Sequence, residues 1–182
     1  MEEYRVLASP RDPDERLLLD TAADPTFVPA SALDGVDPGN RVRAALDWTT
    51  GREDGPAVTE FEVVDSTRFR FRRDVTPLFE AAADCWQRAM ADGEAMDTRV
   101  LRNTDADPVG LVVVFAEQPG ARDLFGEFED GTKPLDPLLE GVPSEPPYEV
   151  FVLDPAEHRC VAVTVAFDPQ GRFADTMRDT YC

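Results

Sequence analysis

The chain has 182 residues, enough for one large domain or two small ones, and its 42% apolar content supplies a core and excludes wholesale disorder. Its 37 acids against 18 bases leave a formal net charge of −19; Lys133 is the single lysine and isoleucine is absent. At low ionic strength such a charge opposes compaction, whereas near 1 M salt the Debye length falls to roughly 3 Å and the repulsion is screened.

Several absences narrow the class further. No apolar run approaches the roughly 20 residues of a membrane span, which leaves no membrane partner. Met1-Glu2-Glu3 opens with acids, not with a basic leader, and points to the cytoplasm. Cys85, Cys160 and Cys182 are odd in number and widely spaced, so no disulfide framework is expected.

Residues 1–74 read as mostly β. Tyr4–Leu7 and Arg16–Leu19 flank the turn Pro10-Arg11-Asp12-Pro13-Asp14. A Pro/Asp/Gly loop runs from Asp24 to Asn40, followed by strands over Val42–Trp48, Ala57–Val64 and Thr67–Arg73. Five short strands in so few residues predict a small antiparallel β-barrel, closed because open edges invite aggregation.

Residues 75–182 read as an α+β domain, an antiparallel sheet with helices on one face. Thr76 as N-cap, Pro77 as first helical residue and Gly93 at the C-terminus bracket a helix. Its apolar face holds Leu78, Phe79, Ala82, Cys85, Trp86, Ala89 and Met90. A hairpin of Thr98–Leu101 and Val109–Phe115 follows, and Leu111–Phe115 has the continuous apolar character of a strand covered on both faces. A helix from Pro119 to before Gly131 buries Leu124, Phe125 and Phe128. A second hairpin pairs Glu149–Leu153 with Cys160–Phe167, and Phe173, Met177 and Tyr181 mark a closing helix. Charge divides the same way: residues 1–74 carry 10 bases and 16 acids, net −6, and residues 75–182 carry 8 and 21, net −13.

Candidate chemistry is sparse. His158 is the single histidine, two residues from Cys160, but it sits in the turn Asp154-Pro155-Ala156-Glu157 with no third group to orient it. No C-x-x-C and no second His exist, so neither a catalytic residue nor a metal ligand is assigned and no cofactor is expected. Asn103, Asp105 and Asp107 lack the glycine and the bidentate glutamate of a calcium loop and read as a turn. Gly120 and Arg122 lie where a buried strand gives way to a helix, a place where free N–H groups can hold an anion, although the phosphate-loop pattern is missing.

Ser66-Thr67-Arg68-Phe69-Arg70-Phe71-Arg72-Arg73 is the most distinctive stretch. Alternation puts Arg68, Arg70 and Arg72 on one face and Phe69 and Phe71 on the other, and Arg41 and Arg43 flank Val42 likewise. One reading is a phosphate or nucleic-acid surface. The favoured one is a paired face: a tight Asp65-Ser66-Thr67 loop would set Glu60 opposite Arg72, Glu62 opposite Arg70 and Phe61 opposite Phe71.

In Arg102-Asn103-Thr104, Phe115-Ala116-Glu117-Gln118-Pro119-Gly120, Arg122-Asp123-Leu124-Phe125, Pro134-Leu135-Asp136-Pro137-Leu138-Leu139 and Asp179-Thr180-Tyr181 the chain resembles a haloarchaeal family of unknown function. That resemblance implies a salt-adapted protein and no particular activity. The sequence reading is therefore a binding or adaptor module for a protein or an RNA-containing partner, with nucleic acid disfavoured. An enzyme or a small-anion binder at Gly120 and Arg122 is the alternative.

Overall fold

The computed structural model describes residues 1–49, 55–117 and 122–182. Among these described residues the fold is mixed α+β, with two five-stranded sheets and four α-helices. The chain divides into two compact units, Met1–Arg68 with Gly126–Gly141, and Phe69–Phe125 with Val142–Cys182.

The first unit is built on β1 (Glu2–Ala8), β2 (Glu15–Leu19), β3 (Pro25–Pro29), β4 (Arg41–Asp47) and β5 (Ala57–Asp65), in the order β3-β2-β1-β4-β5. Each neighbour pair is antiparallel, with Val6 opposite Leu18 and Tyr4 opposite Val42. Tyr4, Val6, Leu18, Val28, Leu33, Val36, Val42 and Ala44 form its core. The segment 126–141 covers the other face: a Cβ on Gly131 would lie 3.0–3.3 Å from the side chains of Leu7, Leu17 and Leu19. The closed barrel expected for residues 1–74 is not found among the described residues. Its expected fifth strand, β6 (Arg68–Val75), belongs to the other sheet, and β3 arises inside what reads as a loop.

The second sheet has the order β6-β9-β10-β8-β7, with β7 (Met96–Arg102), β8 (Pro108–Ala116), β9 (Glu149–Pro155) and β10 (Cys160–Ala166). Both expected hairpins form, with Val100 opposite Leu111 and Val163 opposite Val152. Helix α1 (Glu80–Asp92) and helix α4 (Arg172–Tyr181) share one face, burying Ala82, Cys85, Ala174 and Met177 against Val112, Val114, Phe151, Leu153 and Ala162. The opposite-facing Val113, Val152, Val161, Val163 and Val165 are buried as well, as the apolar runs require.

Helix α1 starts later than its sequence signals suggest. Phe79, extended at ψ 150°, is the N-cap, and Thr76 precedes a cis Thr76–Pro77 bond instead of capping the helix. Gly93 closes it in the left-handed conformation at φ 66°, as expected, but Met90 is 51% exposed. The shorter α2 (Leu124–Glu129) and α3 (Asp136–Glu140) complete the helices; the expected start of α2 at Pro119 lies outside the described residues.

Candidate functional site

The second unit carries an open groove of about 620 Å³ at one end of its sheet, within the range of ligand pockets. Two turns line it: the β7–β8 connection, through Arg102, Asn103, Thr104, Asp105 and Pro108, and the β10–α4 connection, through Phe167, Asp168, Gly171, Arg172 and Phe173. Each wall is shaped by local chemistry. Asn103 Oδ1 accepts from the N–H groups of Asp105 and Asp107 at 3.0 Å, so its side chain folds the turn. Asp168 Oδ1 accepts from the Gln170 N–H at 2.9 Å, and its carbonyl accepts from the Gly171 N–H at 3.0 Å. The walls are tied together where the Phe167 N–H donates to the Val109 carbonyl at 3.0 Å.

The groove has an apolar floor and a polar rim. Val109, Phe167 and Phe173 are half-buried, while Arg102, Asp105, Asp168 and Arg172 are exposed. Among the described residues neither Arg102 nor Arg172 has a carboxylate oxygen within 4.0 Å, though Arg102 donates to the Ala106 carbonyl. Gly171, the N-cap of α4, lines the groove and offers that helix no side-chain cap.

The arginines singled out from the sequence are engaged differently. Arg41 reaches Asp136 Oδ1 at 2.7 Å, the same oxygen held by Arg5, whose side chain is 5% exposed and also contacts Asp65 and the Gly39 carbonyl. Burial pushes the Asp136 carboxyl up, but the two guanidinium groups outweigh it and its pKa lies below the usual value. Arg43 bridges Glu3 and Glu62 at 3.0 and 2.9 Å, and Arg68 lies 3.7 Å from Asp37.

On β6 the expected alternation holds: Phe69 and Phe71 meet edge to face at 6.3 Å, and Phe71 meets Phe125 at 5.9 Å. The expected partners do not. With β5 and β6 in different sheets, Glu62 faces Arg43, Glu60 faces Ala45 and Phe61 faces Ala44. Arg70 instead binds the buried Glu149, which also takes Arg178 of α4, and Arg72 donates to the Tyr181 carbonyl at 3.2 Å. Gly120 lies outside the described residues; Arg122 is described and exposed.

Cys160 is fully buried, and burial pushes its thiol up to about 12, the opposite of an activated nucleophile. The His158 ring packs on Trp86 at 4.8 Å between centroids. Among the described residues no three His, Cys, Asp or Glu side chains cluster as a metal site, and no helix is long and apolar enough to cross a membrane.

A family model described as "Family of unknown function (DUF6663)" matches residues 1–182. The chain belongs to that family. Among curated proteins and solved structures none matches it. The family resemblance in the sequence already included Arg102-Asn103-Thr104, one wall of the groove, but nothing local marked Arg172 or Phe167. They lie some 70 residues along the chain, and only the antiparallel pairing of β10 with β8 brings them alongside.

Proposed function

We propose that this chain is a binding protein, not an enzyme, and that its groove takes an anion attached to a flat or apolar body. The observation that carries the reading is the meeting of Arg102 and Arg172, both without a carboxylate partner among the described residues, with Phe167 and Phe173 in one groove. Charge alone is a poor ligand trap in concentrated salt, because screening at roughly 3 Å removes everything but direct contact. Apolar and stacking contact is not screened, so a site that works in such salt needs both. The arginine face of β6 supplies charge already engaged by Glu149 and the end of α4. The groove supplies charge beside aromatic surface. Asp105 and Asp168 offset the two arginines in sum, so selection rests on placement: an anion touching Arg102 or Arg172 while its body lies on the two rings.

The charge of −19 and the scarcity of lysine support molar salt as the working medium, as in a haloarchaeal cytoplasm. Nucleotides have the required chemistry, so an RNA-containing partner would present a suitable group as well as a free metabolite would. The test is a chemical-shift map in about 2 M KCl with 8-anilinonaphthalene-1-sulfonate, an anionic aromatic probe. Saturable shifts are expected at Arg102, Asn103, Val109, Phe167, Gly171 and Phe173. Saturable shifts confined to other parts of the chain would refute the reading.

A further inference from the structure

Strand β7 forms one edge of the second sheet. An exposed edge offers a row of unpaired main-chain groups to any other strand, and proteins blunt it with proline, lysine or charge. The edge strand β3 begins and ends with proline, and the edge strand β5 sets Glu60 and Glu62, two charges of one sign, beside its exposed Val63 and Val64. From Met96 to Leu101, β7 has neither proline nor lysine, its two charges, Asp97 and the exposed Arg99, are of opposite sign, it keeps unbroken register with β8, and it exposes Met96 at 49% and Val100 at 41%.

The direction of its main-chain groups follows from one bond. The Ala116 N–H donates to the Ala95 carbonyl at 2.9 Å. In an antiparallel ladder alternate residues turn both groups to the same side, so Asp97, Arg99 and Leu101 turn inward to β8. Met96, Thr98 and Val100 turn theirs outward.

We propose that a second copy of this chain pairs with β7, antiparallel, about a two-fold axis at Thr98. In that register Met96 lies opposite the partner's Val100, Thr98 opposite the partner's Thr98, and Asp97 opposite the partner's Arg99. The outward residues exchange about six main-chain hydrogen bonds, and the two exposed apolar side chains cover each other. Charge selects this register over its neighbours. An axis at Arg99 would stack arginine on arginine and set Met96 against Arg102; an axis at Asp97 would stack acid on acid. Within one chain Asp97 holds Arg88 at 2.6 Å and Arg99 lies 3.8 Å from Asp84. Joining two copies therefore makes a row of alternating sign: Arg88, Asp97, the partner's Arg99, the partner's Asp84. The irregularity between Leu101 and Arg102 ends the paired stretch, which leaves Arg102 to the groove.

Sedimentation equilibrium in about 2 M KCl tests this pairing. The wild type should sediment at twice its 20.1 kDa. Thr98→Pro, which removes an outward N–H and no bond to β8, and Val100→Glu should each sediment as monomers with unchanged circular dichroism. With Cys182→Ser in place, Thr98→Cys should form an intermolecular disulfide on mild oxidation, because hydrogen-bonded antiparallel pairs hold their Cα atoms about 5.5 Å apart. A wild type that stays monomeric up to about 100 µM would overturn the proposal. So would a dimer that survives both Thr98→Pro and Val100→Glu.

Discussion

Phe173 of α4 lies on Gly110 of β8: a Cβ built on that glycine would stand 2.9 Å from Cε1 of the ring and 2.6 Å from the Val165 carbonyl oxygen. The bare backbone at Gly110 is what lets an aromatic ring settle onto the sheet and become part of the groove floor. Gly110→Ala must displace the ring or the β10 backbone. The expected cost is about 1–3 kcal/mol, typical of overpacking, measured by urea unfolding at constant molar KCl. Ligand affinity should fall with it, whereas Phe173→Leu should weaken binding more than it weakens the fold.

Glu149 is 1% exposed and gathers Arg70 and Arg178, so its charge is buried and compensated. Glu149→Gln removes the group on which both guanidiniums close, and should cost about 3–5 kcal/mol, the usual penalty for breaking a buried pair from one side. Arg70→Gln leaves Arg178 in place and should cost about 1–3 kcal/mol. Arg43→Gln, which loses only exposed bridges to Glu3 and Glu62, should leave the unfolding midpoint nearly unchanged. Unfolding curves that rank Arg43→Gln at or above Glu149→Gln would contradict this account of β6.

Those arginines also mark where sequence reasoning stopped. Alternation along Arg68-Phe69-Arg70-Phe71-Arg72 is a local property, and the strand obeys it. Which strand lies beside it is not local. The tight turn at Asp65-Ser66-Thr67 looked like a hairpin, yet Asp65 spends its carboxylate on the Thr67 N–H, the Thr67 hydroxyl and Arg5, and the chain leaves one sheet for the other there. The hairpins of β7 with β8 and β9 with β10 were legible because each apolar run and its turn are contiguous. Strand β3 was not, since Pro25 and Pro29 speak for a loop until Leu17 is found opposite Phe27. The groove was least legible of all, because its two walls are far apart in the chain and meet only through the pairing of β10 with β8.

The thiols should separate by burial. Burial, and then the hydrogen bond to Asp97, pushes the Cys85 thiol up to about 11, and burial pushes Cys160 to about 12, while Cys182 is exposed. Native alkylation at neutral pH, followed by mass spectrometry, should modify Cys182 first and spare the other two. Both buried groups are raised above the ordinary 9.0, so their contribution to stability is complete below that pH. It should be lost as pH climbs from about 9 toward 11 and 12, visible as a falling melting temperature. Cys85→Ala should flatten part of that alkaline slope.

Salt should act on the whole fold. At −19, lowering KCl toward 0.1 M lengthens the Debye length to about 10 Å and restores repulsion among the surface acids. Thermal melts followed by circular dichroism should show a midpoint that falls steadily from molar KCl downward. A midpoint independent of salt would remove the argument that the composition serves concentrated salt.

The groove itself is tested most directly by titrating the protein in about 2 M KCl with 8-anilinonaphthalene-1-sulfonate and with its uncharged counterpart N-phenyl-1-naphthylamine. The wild type should bind the anionic probe saturably and the neutral one at least about tenfold more weakly, a difference of about 1.4 kcal/mol. Arg102→Gln with Arg172→Gln should abolish that preference without lowering the melting midpoint, and Phe167→Ala should weaken both probes together. Equal affinity for the two probes, or a preference for the anion that survives in the double arginine variant, would contradict the account.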